Sequence, residues 1–151
     1  MNLGNSFQLS LTATISPAEI QAAVDSLLLK AAAQQFSELW IERDSFPTIC
    51  ALLNGENGWL MYLRYAGDAG FSSRNPNYDG PQDLMIDYHL QNGQHDRYPA
   101  SWAYPRETIF SALRAFAESR QLNQLISWHN DSMDGNTAPE DALVEPRTDF
   151  A

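Results

Sequence analysis

The spacing of apolar residues along the first third of the chain changes from a period of two to a helical period. Every second residue from Phe7 to Ile15 is apolar, which predicts a strand with one buried face. Ser16-Pro17-Ala18-Glu19 follows, and its serine, proline and glutamate are the residues of a capped helix start. We therefore expect a helix extending to about Gln35, with an apolar stripe on one side. The stripe consists of Ile20, Ala23, Val24, Leu27, Leu28 and Ala31.

Strand-like segments separated by turn residues occupy the middle of the chain. Leu39–Glu42 is either a short strand or the end of the helix. Thr48–Leu53 and Trp59–Tyr65 flank the stretch Asn54–Gly58, whose Asn-Gly pairs accept a positive φ and predict a hairpin loop. A polar loop is expected from Ala66 to Gln82.

A second hairpin and a second helix are predicted farther along. Leu84–Leu90 turns at Asn92-Gly93 into a return strand near Gln94–Tyr98. Pro105 begins a helix with an apolar stripe, and Leu125–Trp128 is the expected final strand. The order β-α-β-β-β-β-α-β predicts an α+β fold, a twisted, mostly antiparallel sheet of about 5–6 strands with two main helices packed against it.

The end of the chain differs in composition from the rest. We assign residues 1–130 to one α+β domain and residues 131–151 to an acidic C-terminal tail. The tail has six carboxylates against one arginine and little periodicity, which predicts a loosely attached extension.

The charge balance restricts the possible partners. The formal net charge is −10, and lysine occurs only at position 30. Such a surface repels phosphate backbones, so direct binding of nucleic acid is disfavoured, whereas a basic protein is attracted. The lone cysteine, Cys50, lies in an apolar run and is expected to be buried. We also expect a cytoplasmic protein that makes no membrane contact, since neither a secretory signal nor an apolar run of membrane-spanning length is visible.

Sequence motifs for catalysis or cofactor binding are absent, and we expect neither a cofactor nor an enzymatic activity. The one group worth testing is Asp87, His89, His95 and Asp96, placed across the second hairpin. Carboxylate and imidazole groups of this kind can bind a divalent metal or act as a general base. The alternative is the polar, solvent-facing side of an amphipathic hairpin.

The tryptophans divide into two groups. Trp59 and Trp128 lie in strand patterns and are expected in the core. Trp102 lies between the second hairpin and the second helix. It either packs beneath the start of that helix or is partly exposed as an anchor for a partner, since Trp and Tyr are enriched among the residues that dominate interface energies.

The stretch from Asp83 to Trp128 resembles a known family. It contains Tyr88-x-x-x-Asn92-Gly93, then Tyr104-Pro105-Arg106-Glu107, and ends with Leu125-Ile126-Ser127-Trp128. This order resembles the first numbered immunity-protein family of bacterial polymorphic toxin systems. The resemblance implies a protein that binds and neutralises a secreted toxin, and many relatives lie beside toxins of the nucleic-acid deaminase class.

Charge and resemblance together predict a binding protein whose partner is a basic toxin domain. Two other classes stay open, a small metal-binding domain or enzyme that uses Asp87, His89 and His95, and an acidic chaperone or adaptor for a secreted effector. The residues that we expect to bind the partner are acids and aromatics of the long loop and second hairpin. They are Asp68, Tyr78, Asp79, Asp83, Asp87, Asp96, Tyr98 and Trp102.

Overall fold

A computed structural model describes residues 4–118 and 122–139. Within these ranges the chain forms nine strands and two α-helices, with short 3₁₀ turns at Ala100–Trp102 and Leu122–Gln124. The elements are β1 (Asn5–Leu11), α1 (Pro17–Ala32), β2 (Phe36–Arg43), β3 (Thr48–Asn54), β4 (Asn57–Leu63), β5 (Phe71–Arg74), β6 (Met85–His89), β7 (His95–Pro99), β8 (Tyr104–Pro105), α2 (Arg106–Ala117) and β9 (Ser127–Asn130).

The start of α1 is the predicted capping box. The Ser16 hydroxyl accepts a hydrogen bond from the backbone N–H of Glu19 at 3.1 Å, and the Glu19 carboxylate accepts one from the Ser16 N–H at 2.9 Å. The helix ends at Ala32 rather than near Gln35. The reason is that the Gln35 carbonyl accepts the N–H of Gly55, which draws the chain towards the first hairpin turn.

Seven strands form one sheet in the order β1-β2-β3-β4-β5-β9, and β8 pairs with β4. The pair β1–β2 is parallel because α1 carries the chain back over the sheet between them, whereas the other pairs are antiparallel. The predicted α+β class is confirmed. Both predicted hairpins are confirmed as well, with glycines of positive φ at Gly55 and Gly93.

Two predictions about the middle of the chain require correction. The expected loop from Ala66 to Gln82 contains the strand β5, whose sequence Phe-Ser-Ser-Arg lacks an alternating apolar pattern. The sheet therefore has more strands than the 5–6 expected, and β6 and β7 form a separate two-stranded sheet. The ambiguous segment Leu39–Glu42 is a strand, the central part of β2.

The molecule has three layers around two apolar clusters. Both helices cover one face of the large sheet, where Leu39, Ile49 and Leu113 are fully buried. The β6–β7 hairpin lies on the opposite face, over Cys50 and Trp59. Both of these residues are buried as predicted, with 3% and 6% of their surface exposed. Trp128 is partly buried and packs against the helix-side cluster.

The first part of the predicted tail lies against the domain. Asp131 accepts a hydrogen bond from the Ser72 hydroxyl at 2.7 Å, and Asp134 pairs with Arg64. Residues 140–151 lie outside the described ranges, so the division at residue 130 stays a prediction. Neither described helix is long and apolar enough to cross a membrane.

Candidate partner-binding surface

Asp68 is an internal residue rather than a surface acid. Its carboxylate is inaccessible to solvent and receives two hydrogen bonds from the Arg64 guanidinium, at 2.7 and 2.8 Å. The backbone N–H groups of Arg64 and Gly70 donate to it as well. The hydrogen bonds from the Arg64 side chain are the main reason that the pKa of Asp68 lies below its ordinary value. This carboxylate holds the turn after β4 together and is not accessible to a partner.

Asp87 and His89 lie on the face of the hairpin opposite Tyr88, and the His89 ring also contacts Phe36 of β2 at a centroid distance of 4.5 Å. The Asp87 carboxylate lies 2.8 Å from Nε of Arg97 and 3.0 Å from Nε2 of His95. Arg97 first and His95 second lower the pKa of Asp87. The His89 and His95 rings stack at 4.6 Å. Among residues 4–118 and 122–139, no group of three or more His, Cys, Asp or Glu is arranged to hold a metal ion, so the geometry gives the metal-site alternative no support.

Tyr78, Asp79 and Asp83 lie in the loop that leads into β6. The Tyr78 hydroxyl donates to the carbonyl of Pro81 at 2.7 Å, which closes the loop on itself. Asp79 and Asp83 are exposed. Their role in binding stays a prediction.

Asp96, Tyr98 and Trp102 come together on the inner side of the hairpin, facing the large sheet. Tyr98 stacks on Trp59 at a centroid distance of 4.5 Å and on Trp102 at 5.8 Å. The guanidinium of Arg74 lies 3.6 Å from the centre of the Trp102 ring, a cation–π contact. Burial, followed by the charge of Asp96, raises the pKa of Tyr98. Trp102 is partly buried in this stack.

Sequence reasoning missed three further residues of this surface, all on β2. Glu38, Trp40 and Glu42 alternate along the strand and therefore share the face that the hairpin lies on. The indole N–H of Trp40 donates to Glu38 at 2.7 Å, and the Ser10 hydroxyl donates to Glu42 at 2.8 Å. The alternation was the available signal. This signal is ambiguous in the sequence, because a segment as short as Leu39–Glu42 fits either a strand or the end of the helix.

Glu38 of β2 and Asp96 of β7 both lie near Cys50. Cys50 lies beneath them on β3, and burial raises the pKa of its thiol, with further contributions from the charges of Glu38 and Asp96. Trp40, Tyr98 and Trp102 pack on the cluster that contains Cys50. We call this surface the hairpin-side patch. It consists of Glu38, Trp40, Glu42, Asp96, Tyr98 and Trp102.

The carboxylates of the hairpin-side patch keep their charge uncompensated. Asp96 accepts a hydrogen bond from the side-chain amide of Gln94 at 2.8 Å, and the recorded donors to Glu38 and Glu42 are neutral as well. In the described part of the chain, no Lys or Arg forms an ion pair with any of the three. Arginines neutralise acids elsewhere instead, in the pairs Arg64–Asp68, Arg97–Asp87, Arg106–Glu56 and Arg114–Asp25.

Comparison with known proteins identifies the family. No curated protein matches the chain. The family profile described as Immunity protein Imm1 matches residues 12–130, which include every strand from β2 to β9 and both helices. This match confirms the resemblance seen between Asp83 and Trp128, and it extends over most of the chain. The chain therefore belongs to the Imm1 immunity protein family.

Proposed function

We propose that this protein binds a cognate secreted bacterial toxin that acts on nucleic acid, of the deaminase type, and blocks its active site. The observation that carries the proposal is the family match over residues 12–130, because an immunity family implies a toxin-neutralising role. Such a role needs stoichiometric binding and no catalysis by the inhibitor itself. We place this encounter in the cytoplasm.

The charge of the molecule supports the choice of partner. An enzyme that acts on nucleic acid needs a cationic groove for the phosphate backbone. A protein with a net charge of −10 is attracted to that groove, and complementary potentials accelerate the encounter and suppress wrong partners. Occupying the groove excludes the substrate, which is why we propose obstruction of the active site as the mechanism.

The experiment uses the toxin domain encoded beside the gene for this protein. We expect a stable complex at micromolar concentrations, protection of cells that express the toxin, and loss of base deamination on an oligonucleotide at one equivalent of inhibitor. Absence of a complex and of protection would reject the proposed function. A complex that still binds and deaminates the oligonucleotide would reject only the obstruction mechanism.

The same toxin preparation tests the chaperone or adaptor alternative. A chaperone recognises an unfolded segment of its client, whereas an immunity protein recognises the folded toxic domain. Binding should therefore be lost when the toxin domain is unfolded and should not be recovered with its N-terminal secretion segment alone. The reverse pattern would favour the chaperone.

A further inference from the structure

A small cleft opens beside the hairpin-side patch. It has a volume of about 80 Å³ and is lined by residues of β1, β2 and β3, namely Gln8, Leu9, Ser10, Trp40, Glu42 and Thr48. Since about 10–15 Å³ of such volume is enough to hold one water molecule, the cleft has room for one small head group. Its polar atoms include the Glu42 carboxylate, and the Trp40 ring supplies an aromatic wall.

The chemistry of this cleft suits a cation. A carboxylate forms its strongest hydrogen bonds with a guanidinium or ammonium group, and an indole ring attracts the same groups through its π face. The recorded hydrogen bond to Glu42 comes from the neutral Ser10 hydroxyl, so its negative charge is uncompensated in the described ranges. Trp and Tyr at the centre of a surface are the residues that most often anchor a protein partner.

Several other acids of the surface are already paired with arginines. On the helix side, Asp25 lies 2.6 Å from a nitrogen of Arg114. Glu56 pairs with Arg106 at the turn of the first hairpin, and Asp87 pairs with Arg97 on the outer face of the second. A cationic partner would have to displace these arginines. In the described ranges, the carboxylates of the hairpin-side patch have no arginine partner, since Arg74 lies on the ring of Trp102 instead.

We infer that the hairpin-side patch docks a cationic loop of the toxin and that the cleft beside Trp40 receives the head group of one of its arginine or lysine side chains. This inference rests on the proposed function and deepens it by naming the surface and the partner chemistry. The carboxylates of Glu38 and Asp96 flank the docked loop, and the exposed edges of the partly buried Tyr98 and Trp102 contact its apolar part.

Ser10→Arg is the most direct test. Ser10 is exposed on β1 and lies opposite Glu42 in the β1–β2 register. An arginine at this position would fill the cleft and pair with Glu42, so it would compete with the partner's cation from within the molecule. Ser26→Arg is the matched control, because Ser26 is exposed on α1 at the helix side. A second pair is Glu42→Gln with the control Glu107→Gln on α2.

The measurement is the Kd for the toxin domain encoded beside the gene, with thermal unfolding recorded for each variant. We expect Ser10→Arg and Glu42→Gln to weaken binding by about tenfold or more, which corresponds to about 1.4 kcal/mol, while both controls change it by less than about twofold. Equal weakening by each variant and its control would show that only net charge matters and would overturn the inference. Unchanged binding by Ser10→Arg and Glu42→Gln would overturn it as well. Failure of the unmodified protein to bind would reject the proposed function itself, which separates the two outcomes.

Discussion

The ring of Tyr98 in β7 lies nearly parallel to the ring of Trp59 in β4, with centroids 4.5 Å apart and an interplanar angle of 14°. Because β7 belongs to the small hairpin and β4 to the large sheet, this stack joins two layers that share no ladder of strand pairing. Tyr88 contributes a second buried ring from β6, with 1% of its surface exposed. The hairpin is therefore held on the sheet mainly by aromatic packing.

Replacing Tyr98 with alanine should loosen the hairpin. Loss of the ring removes its contacts with Trp59 and Trp102, and we expect the free energy of unfolding to fall by about 2–4 kcal/mol. Tyr98→Phe retains the stack and should cost less than about 1 kcal/mol. Urea denaturation monitored by tryptophan fluorescence gives both values. If the two variants were equally stable, the stack would not be what fastens the hairpin.

Replacing Asp68 with asparagine should destabilise the turn after β4. The substitution keeps the shape of the side chain but leaves the guanidinium of Arg64 without its main buried partner, so we expect a loss of about 3 kcal/mol near neutral pH. The pKa of Asp68 lies below its ordinary value of about 3.9. Its stabilising contribution is therefore complete above about pH 4 and is lost as the pH falls through the lower pKa of the folded state. The difference between Asp68→Asn and the unmodified protein should shrink at low pH, and a constant difference between pH 7 and 2 would contradict this account.

Two truncations should have different effects on stability. Removing residues 131–151 takes away Asp134 and Ser132, which both bind the guanidinium of Arg64, and Asp131, which accepts from Ser72. Removing only residues 140–151 keeps all of these contacts. We expect the longer truncation to lower the Tm by more than the shorter one, as measured by calorimetry. Equal values of Tm would show that these contacts add nothing to the fold.

Association with the toxin should depend on ionic strength. If uncompensated carboxylates steer the encounter, the association rate should fall steeply as salt rises, because the screening length shortens from about 30 Å at 0.01 M to about 10 Å at 0.1 M. Glu42→Gln should show a shallower dependence than Glu107→Gln in stopped-flow measurements. A rate independent of salt would remove electrostatic steering from the mechanism while leaving binding itself intact.

Local sequence patterns predict the hairpin turns and the start of α1, but they do not predict strand β5 or the position of the second hairpin. Asn-Gly pairs and the Ser16–Glu19 box predicted the hairpin turns and the start of α1, because turns and caps depend on neighbouring residues. β5 was missed because its four residues are held by pairing with β4 and β9, which lie far away in the sequence. The separation of the hairpin from the large sheet depends on the contact of Tyr98 with Trp59, and no local pattern encodes it.

The residues of the hairpin-side patch were likewise only partly predictable from local sequence patterns. Asp96, Tyr98 and Trp102 were selected from composition, and the structure brings them together through the Tyr98–Trp102 stack. Composition points to Asp68 as well, but its carboxylate is enclosed because Arg64, four residues earlier in the chain, binds it. The sequence shows that an arginine and an aspartate lie four residues apart. Whether such an ion pair is buried or exposed to solvent depends on the strands packed around it, which the local sequence does not specify.

Alternate residues of strand β2 face opposite sides of the large sheet. Leu39 and Ile41 point into the helix-side core and are fully buried, whereas Glu38, Trp40 and Glu42 face the opposite side. Substitutions at the second set leave Leu39 and Ile41 undisturbed, so a lineage confronted with a new toxin variant can alter recognition without disturbing the helix-side core. Diversification among descendants of this protein should accordingly concentrate at every other position of one short segment.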